Sequence, residues 1–176
     1  MTGRVWYTER LELLPAAGPL ANALRGLAET PRVAETLFPD DDAWRGWPSF
    51  GEGVSQALGH AVVELGARLR STLVPVGGFR LRGDRLSYFV DPALWGQGYG
   101  AEMVHAAWRL IQPFRAGAPT EAVVLRENLA SRRLLEGAGF RFAGASTMAN
   151  RMRREVRTFL RYVDGPIQSL NDPVNS

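Results

Sequence analysis

Gly96, Gly98 and Gly100 alternate in the run Trp95-Gly96-Gln97-Gly98-Tyr99-Gly100, between a segment broken by Asp91-Pro92 and an amphipathic stretch. Without side chains, such a turn bends tightly and presents bare backbone amides. Met103, Val104, Ala107, Trp108, Leu110 and Ile111 then trace one side of a helix that Pro113 ends. The N-terminus of that helix adds partial positive charge, so the turn suits a pyrophosphate held by main-chain donors without any lysine. The spacing is neither G-x-G-x-x-G nor a Walker A loop ending in G-K-[ST]. Taken alone, it is also what a plain bend between strand and helix would show.

Other chemistry-bearing residues are few. The chain has no cysteine, which removes disulfides, thiolate metal sites and a cysteine nucleophile. No metal site is expected. Apart from two histidines, every basic residue is an arginine, and the formal net charge is only +3. Arg151, Arg153, Arg154, Arg157 and Arg161 crowd one stretch, enough to attract phosphates if they share a face. A solvated hairpin surface explains them equally well, and no nucleic-acid motif accompanies them, so a nucleic-acid partner is not expected.

The elements that must position the turn follow from periodicity. Thr8–Leu14 alternates and stops at Pro15, as a half-buried first strand would. Leu20, Leu24 and Leu27 have helical spacing, and Pro31, Pro39 and Pro48 cut the next segment into short pieces. Trp44 and Trp47 lie there, as one packed helical face or as pocket walls. Val54–Leu69 has helical apolar spacing weakened by Gly59 and Gly66, with a strand at His60–Leu65 as the alternative. Leu73–Leu81 and Leu86–Val90 flank Arg82-Gly83-Asp84 as a hairpin. Ala122–Leu125 is a short strand, Asn128–Gly137 a helix stopped at Gly139, and Phe140–Met148 with Val156–Val163 a closing hairpin. At 176 residues, 45% of them apolar, this makes one domain, residues 1–164, with a loosely held tail at 165–176. The opening residues have no signal-peptide or membrane-spanning run, so a cytoplasmic location is expected.

With its surroundings, the turn resembles the acyl-CoA-binding signature of the GNAT superfamily of N-acetyltransferases, [RQ]-x-x-G-x-[GA]. Trp95 in place of Arg or Gln, followed by Glu102 in the helix, is similar to the branch related to RimJ and RimL, the ribosomal-protein N-terminal acetyltransferases. The opening T-E-R-L-E-L-L-P and the segment from Glu127-Asn128-Leu129-Ala130-Ser131 to Gly139-Phe140 resemble the same branch, in consistent order. The resemblance implies an α+β (mixed α/β) fold: a mostly antiparallel central sheet splayed between two parallel strands and flanked by helices.

It also implies roles. Phe89 and Val90 would offer backbone groups to the pantetheine of acetyl-CoA, one of them as an oxyanion donor. The amides of Trp95, Gly96, Gln97, Gly98, Tyr99, Gly100 and Ala101 would hold its pyrophosphate. Asn128 would contact the pantetheine or cap the next helix, and Arg132 and Arg133 would reach the phosphates. Leu135 stands where many members carry a proton-donating tyrosine; in the RimL-like pattern the serine at the position of Ser131 takes that place, which makes Ser131 the implied donor. The expected carboxylate base falls at Arg85, with Asp84 displaced by one residue and hence onto the other strand face. Glu121 and His105 are the candidate bases, and a water chain could also serve. The acceptor would be a protein N-terminal amine or a small-molecule amine, and the chain a monomer or homodimer. The missing tyrosine and displaced carboxylate keep a second reading open, an acyl-CoA-binding sensor with little catalysis.

Overall fold

The computed structural model describes residues 5–36, 54–57, 60–112, 119–150 and 155–164. Trp44, Trp47, Arg151, Arg153, Arg154 and the proposed tail at 165–176 lie outside the described residues. The strands are β1 (Trp6–Tyr7), β2 (Leu11–Pro15), β3 (Val54–Ala57), β4 (His60–Leu69), β5 (Pro75–Arg82), β6 (Arg85–Val90), β7 (Thr120–Leu125), β8 (Arg141–Asn150) and β9 (Glu155–Asp164). The helices are α1 (Gly18–Ala28), α2 (Pro31–Ala34), α3 (Tyr99–Ile111) and α4 (Leu129–Gly137). The strands form one sheet in the order β1-β2-β4-β5-β6-β7-β9-β8, with β3 paired to β4.

All pairings are antiparallel except β6 with β7. That parallel pair is in register only at Arg85–Glu121 and Leu86–Ala122. Both strands run on, β6 to Val90 and β7 to Leu125, without further pairing to each other. The two central strands therefore part toward their C-terminal ends, opening the fork the fold class implies.

Packing explains each departure from the periodicities. The strand expected over Thr8–Leu14 begins only at Leu11, as β2, because Thr8 closes a two-residue turn from β1. The Leu11 N–H donates to the Thr8 hydroxyl at 2.9 Å, and the Thr8 N–H to the Leu11 carbonyl at 2.9 Å. Residues 54–69, left open between a helix and a strand at His60–Leu65, contain strands β3 and β4. In β4 the consecutive residues Val63, Glu64 and Leu65 are all buried, since the strand is covered on both faces, which erases the period-two alternation. Gly66 belongs there because α1 lies against it: a Cβ would stand 2.7 Å from Leu20 Cδ2 and 2.8 Å from Leu24 Cδ1. Glu64 is buried with an ion-pair partner, Arg80 of β5, whose Nε donates at 2.6 Å.

The main core packs α3 against the sheet through Met103, Val104, Ala107, Trp108 and Ile111, joined by Phe79, Leu86, Val124, Leu135 and Phe140. A smaller core of Ala16, Ala21, Leu24, Val33 and Phe89 seats α1 and α2. Helix α4 ends in a tight C-cap as the sequence predicts. Gly139, at φ 93°, lets its own N–H reach the Glu136 carbonyl and the Phe140 N–H reach Leu135, both at 3.0 Å. No helix among the described residues is long and apolar enough to cross a membrane.

Candidate active site

A cavity of about 670 Å³ occupies the fork. One end lies at the glycine turn, with Trp95, Gly96, Gly98, Gly100 and Ala101 on its wall, and Val33 and Thr36 also line it. Between these are Tyr88, Phe89, Val90 and His105, faced by Glu127, Asn128, Ser131, Arg133 and Leu134.

The turn is built from left-handed glycines. Gly96 and Gly98 have φ of 77° and 82°, which only glycine adopts without strain. Gly98 is the N-cap of α3 and has no side chain to satisfy the first-turn amides, so these remain donors for an anion. Gly100 gives close approach: a Cβ there would meet Val90 Cγ2 at 3.2 Å and Leu134 Cδ1 at 3.4 Å. Upstream, the Asp91 carboxylate accepts from the Ala93 N–H at 2.9 Å and folds Pro92–Leu94 into a single 3-10 turn.

Hydrogen-bond parity sets which groups of β6 face the fork. The Asp91 N–H donates to the Val76 carbonyl at 2.7 Å, and the Phe89 carbonyl points at Gly77, where a Cβ would stand 2.1 Å from it. Antiparallel ladders alternate, so Phe89 directs its backbone groups to β5 while Tyr88 and Val90 direct theirs into the fork. Phe89 contributes its ring to the wall and the smaller core. The Val90 carbonyl accepts from the Trp95 indole N–H at 2.8 Å. Trp95 is 41% exposed, and the Arg32 guanidinium of α2 lies 5.1 Å over its ring.

On the opposite wall, Asn128 is the N-cap of α4, its Oδ1 accepting from the Ser131 N–H at 3.1 Å. The Ser131 hydroxyl has no hydrogen-bond partner among the described residues, and Ser131 lines the cavity. Its carbonyl accepts from the Tyr88 hydroxyl at 3.3 Å, which ties α4 to β6 across the gap. Burial pushes the Tyr88 phenol far above its ordinary range, against the smaller opposing effect of that bond. Tyr88 therefore remains a neutral hydroxyl.

Of the residues the resemblance selects, Phe89, Val90, Trp95, Gly96, Gly98, Gly100, Ala101, Asn128 and Ser131 meet on this wall. Gln97 and Tyr99 belong to the turn but not to the wall. The Gln97 carbonyl accepts from Arg10 at 3.0 Å, and the Tyr99 ring lies 4.3 Å from the same guanidinium. Arg132 turns to the Tyr162 hydroxyl and the Arg126 carbonyl, while Arg133 lines the cavity. Glu121 stands at the closed end of the fork, opposite Arg85 and 3.3 Å from Arg161, roughly 13 Å along β7 from Leu125. Asp84 is beside it in the hairpin turn, its carbonyl accepting from the Glu121 N–H at 2.6 Å.

Tyr88 and Glu127 are among the wall residues to which the sequence reading gave no site role. Strand parity applied to Tyr88-Phe89-Val90 would have found the first. Glu127, in the connection between β7 and α4, heads the run Glu127-Asn128-Leu129-Ala130-Ser131 whose resemblance assigns roles to Asn128 and Ser131 but none to it. Of the arginine cluster, the two described members are tied inward. Arg157 donates to the Glu35 carbonyl at 3.0 Å, and Arg161 reaches Glu121 and the Ala143 carbonyl. Among the described residues no group of acidic or histidine side chains could hold a metal.

Beneath the turn, Glu102 gathers donors from the first hairpin. It accepts from the Thr8 hydroxyl, from the Arg10 N–H at 2.8 Å and from Arg10 Nε at 2.7 Å. Desolvation raises the Glu102 pKa, but these bonds and the Arg10 charge outweigh it and hold the carboxyl below its usual range. A depressed carboxylate contributes stability above its unfolded pKa of about 4.3 and loses it as pH falls through the folded value. Thermal melting from pH 6 to pH 3 should therefore show Glu102→Gln less stable than wild type at pH 6, with the gap closing below about pH 4. A gap independent of pH would refute this.

An open amide turn, a fork exposing strand backbone and a mostly apolar cavity suit a long ligand with a phosphate end and an amide-bearing arm. Residues 10–141 match the acetyltransferase (GNAT) domain, and the chain belongs to that family. Among solved structures it is similar to RimL, the ribosomal L7/L12 alpha-N-protein acetyltransferase in complex with coenzyme A, at TM-score 0.70 and 15% identity over 91% of this chain and 97% of that one. A ribosomal-protein-S5-alanine acetyltransferase from Vibrio fischeri gives TM-score 0.67 at 11% identity, over 94% and 100%. The microcin C7 self-immunity acetyltransferase MccE, solved with acetyl-CoA and AMP, gives 0.63 at 12%, over 89% and 93%. At such identities the likeness is one of fold. No curated protein matches the chain.

Proposed function

We propose that this chain transfers an acetyl group from acetyl-CoA to a primary amine by direct attack on the thioester. The observation that carries the proposal is the continuous cavity, which links the open amides at Gly98–Ala101 to the fork at Tyr88 and Val90 and to Ser131 beyond it. The first-turn amides of α3 hold the pyrophosphate. The Tyr88 and Val90 backbone groups pair with the pantetheine as a further strand would, and the Val90 N–H polarises the thioester carbonyl.

The amine nitrogen bonds to the carbonyl carbon, the carbon–sulfur bond breaks, and the departing thiolate takes the Ser131 hydroxyl proton, which solvent restores. The amine's own proton leaves to water or to a wall group. His105 and Glu127 are the wall's candidate acceptors, His105 Nε2 lying 3.4 Å from the Leu134 carbonyl. Glu121, held by Arg161 at the closed end, acts in this scheme through water or by fixing the fork. The likeness to RimL, an alpha-N-protein acetyltransferase of ribosomal L7/L12, makes a protein N-terminal α-amine the first acceptor to test, with small amines next. We place the protein in the cytoplasm, as a monomer or homodimer, with no nucleic-acid partner.

Calorimetry with acetyl-CoA followed by a thiol-release assay over peptides, polyamines and small amines tests the reading. Binding with transfer supports it, binding without transfer to any acceptor favours a sensor, and no binding removes both. Ser131→Ala should lower kcat about a hundredfold while leaving acetyl-CoA affinity near wild type. Unchanged turnover would strip Ser131 of the donor role.

A further inference from the structure

We propose that Arg10, at the tip of the β1–β2 turn, is a positioning residue that holds the glycine turn in its pyrophosphate-binding shape; the inference rests on the acyl-CoA reading of that turn. Arg10 is not on the cavity wall. It grips the turn from outside at successive points: NH1 donates to the Gln97 carbonyl at 3.0 Å, the guanidinium covers the Tyr99 ring at 4.3 Å, and Nε pairs with Glu102 at 2.7 Å. A Cβ on Gly98 would stand 3.3 Å from NH2, so the turn backbone lies directly against the guanidinium.

Two physical needs meet here. Glycines at positive φ bend the turn, yet their freedom leaves it costly to order. Contacts at residues 97, 99 and 102 prepay that ordering before a ligand arrives. The second need is electrostatic. Glu102 sits in the first turn of α3, close to where an anion would bind, and its charge would repel a pyrophosphate. Arg10 neutralises it through a charge-assisted pair. The tip that carries Arg10 is itself fixed. The Thr8 hydroxyl also bonds Glu102, the Arg70 N–H donates to the Arg10 carbonyl at 3.0 Å, and the Arg70 guanidinium reaches the Thr8 carbonyl at 2.9 Å. The first hairpin is thus a buttress for a turn nearly ninety positions later in the chain.

The test compares acetyl-CoA with S-acetylpantetheine, which lacks the diphosphate. Arg10→Ala should raise Kd and KM for acetyl-CoA about tenfold, with kcat and turnover of S-acetylpantetheine near wild type. Arg10→Lys, which keeps the charge but not the fork or the stacking, should fall between. If the alanine variant does not fold, the lysine variant alone should show a loss of about threefold confined to acetyl-CoA. Wild-type affinity in Arg10→Ala, or an equal loss with both donors, overturns the positioning role. A wild-type protein that binds no acetyl-CoA overturns the acyl-CoA reading and this inference with it.

Discussion

Gly77→Ala is expected to destabilise the protein by about 3 kcal/mol and to lower Tm by about 10 °C, with most acetyl-CoA affinity lost at temperatures where the variant is still folded. The added methyl would stand 2.1 Å from the Phe89 carbonyl oxygen and 3.0 Å from Val90 Cα, which are backbone atoms with no rotamer to escape into. Either β5 or the end of β6 must move. The end of β6 carries the Tyr88 and Val90 groups that face the fork, so stability and binding fall together. Chemical denaturation with paired calorimetry checks both, and a variant with wild-type Tm would contradict the close packing of β5 on β6.

Phe140→Ala is expected to cost about 4 kcal/mol, within the range for a fully enclosed phenylalanine. Phe140 is 2% exposed and its ring centroid lies 4.8 Å from that of Trp108. It also follows Gly139 in the C-cap of α4, so it fixes that helix while filling the core between α4 and α3. Asn128 and Ser131 at the other end of α4 should lose their placement as the helix frays. Denaturant unfolding of the variant measures the cost, and a loss below about 1 kcal/mol would mean that the core closes around the gap.

Much of this was legible in the sequence because local chemistry and tertiary need coincide there. The glycine run and the amphipathic stretch after it specify turn and helix α3 through backbone freedom and period. Gly139 specifies the stop of α4. The hairpin about Gly83-Asp84 was legible for the same reason. Residues 54–69 were not, since burial on both faces of β4 removes alternation and Gly66 serves a neighbour, α1, that no local window contains. Arg10 was hidden in the same way: the opening run T-E-R-L-E-L-L-P contains it but gives it no role, and its partners at 97, 99 and 102 are joined to it only by the fold. On the wall, the backbone direction of Phe89 against Tyr88 and Val90 depends on strand pairing, which spacing alone does not fix.

The shortness of the single parallel pairing has a mechanical side. Among the described residues, two registered positions, Arg85–Glu121 and Leu86–Ala122, are all that join the β1–β6 block to the β7–β9 block through the sheet. Elsewhere the two blocks are held by α3 and α4 and by the Tyr88–Ser131 bond. The sheet is thus two stiff plates stitched along one short seam, and it is compliant in one direction, widening or narrowing at the open end. On the proposed reading, a ligand arm that bonds along β6 and touches α4 would supply the missing stitches and stiffen the open end.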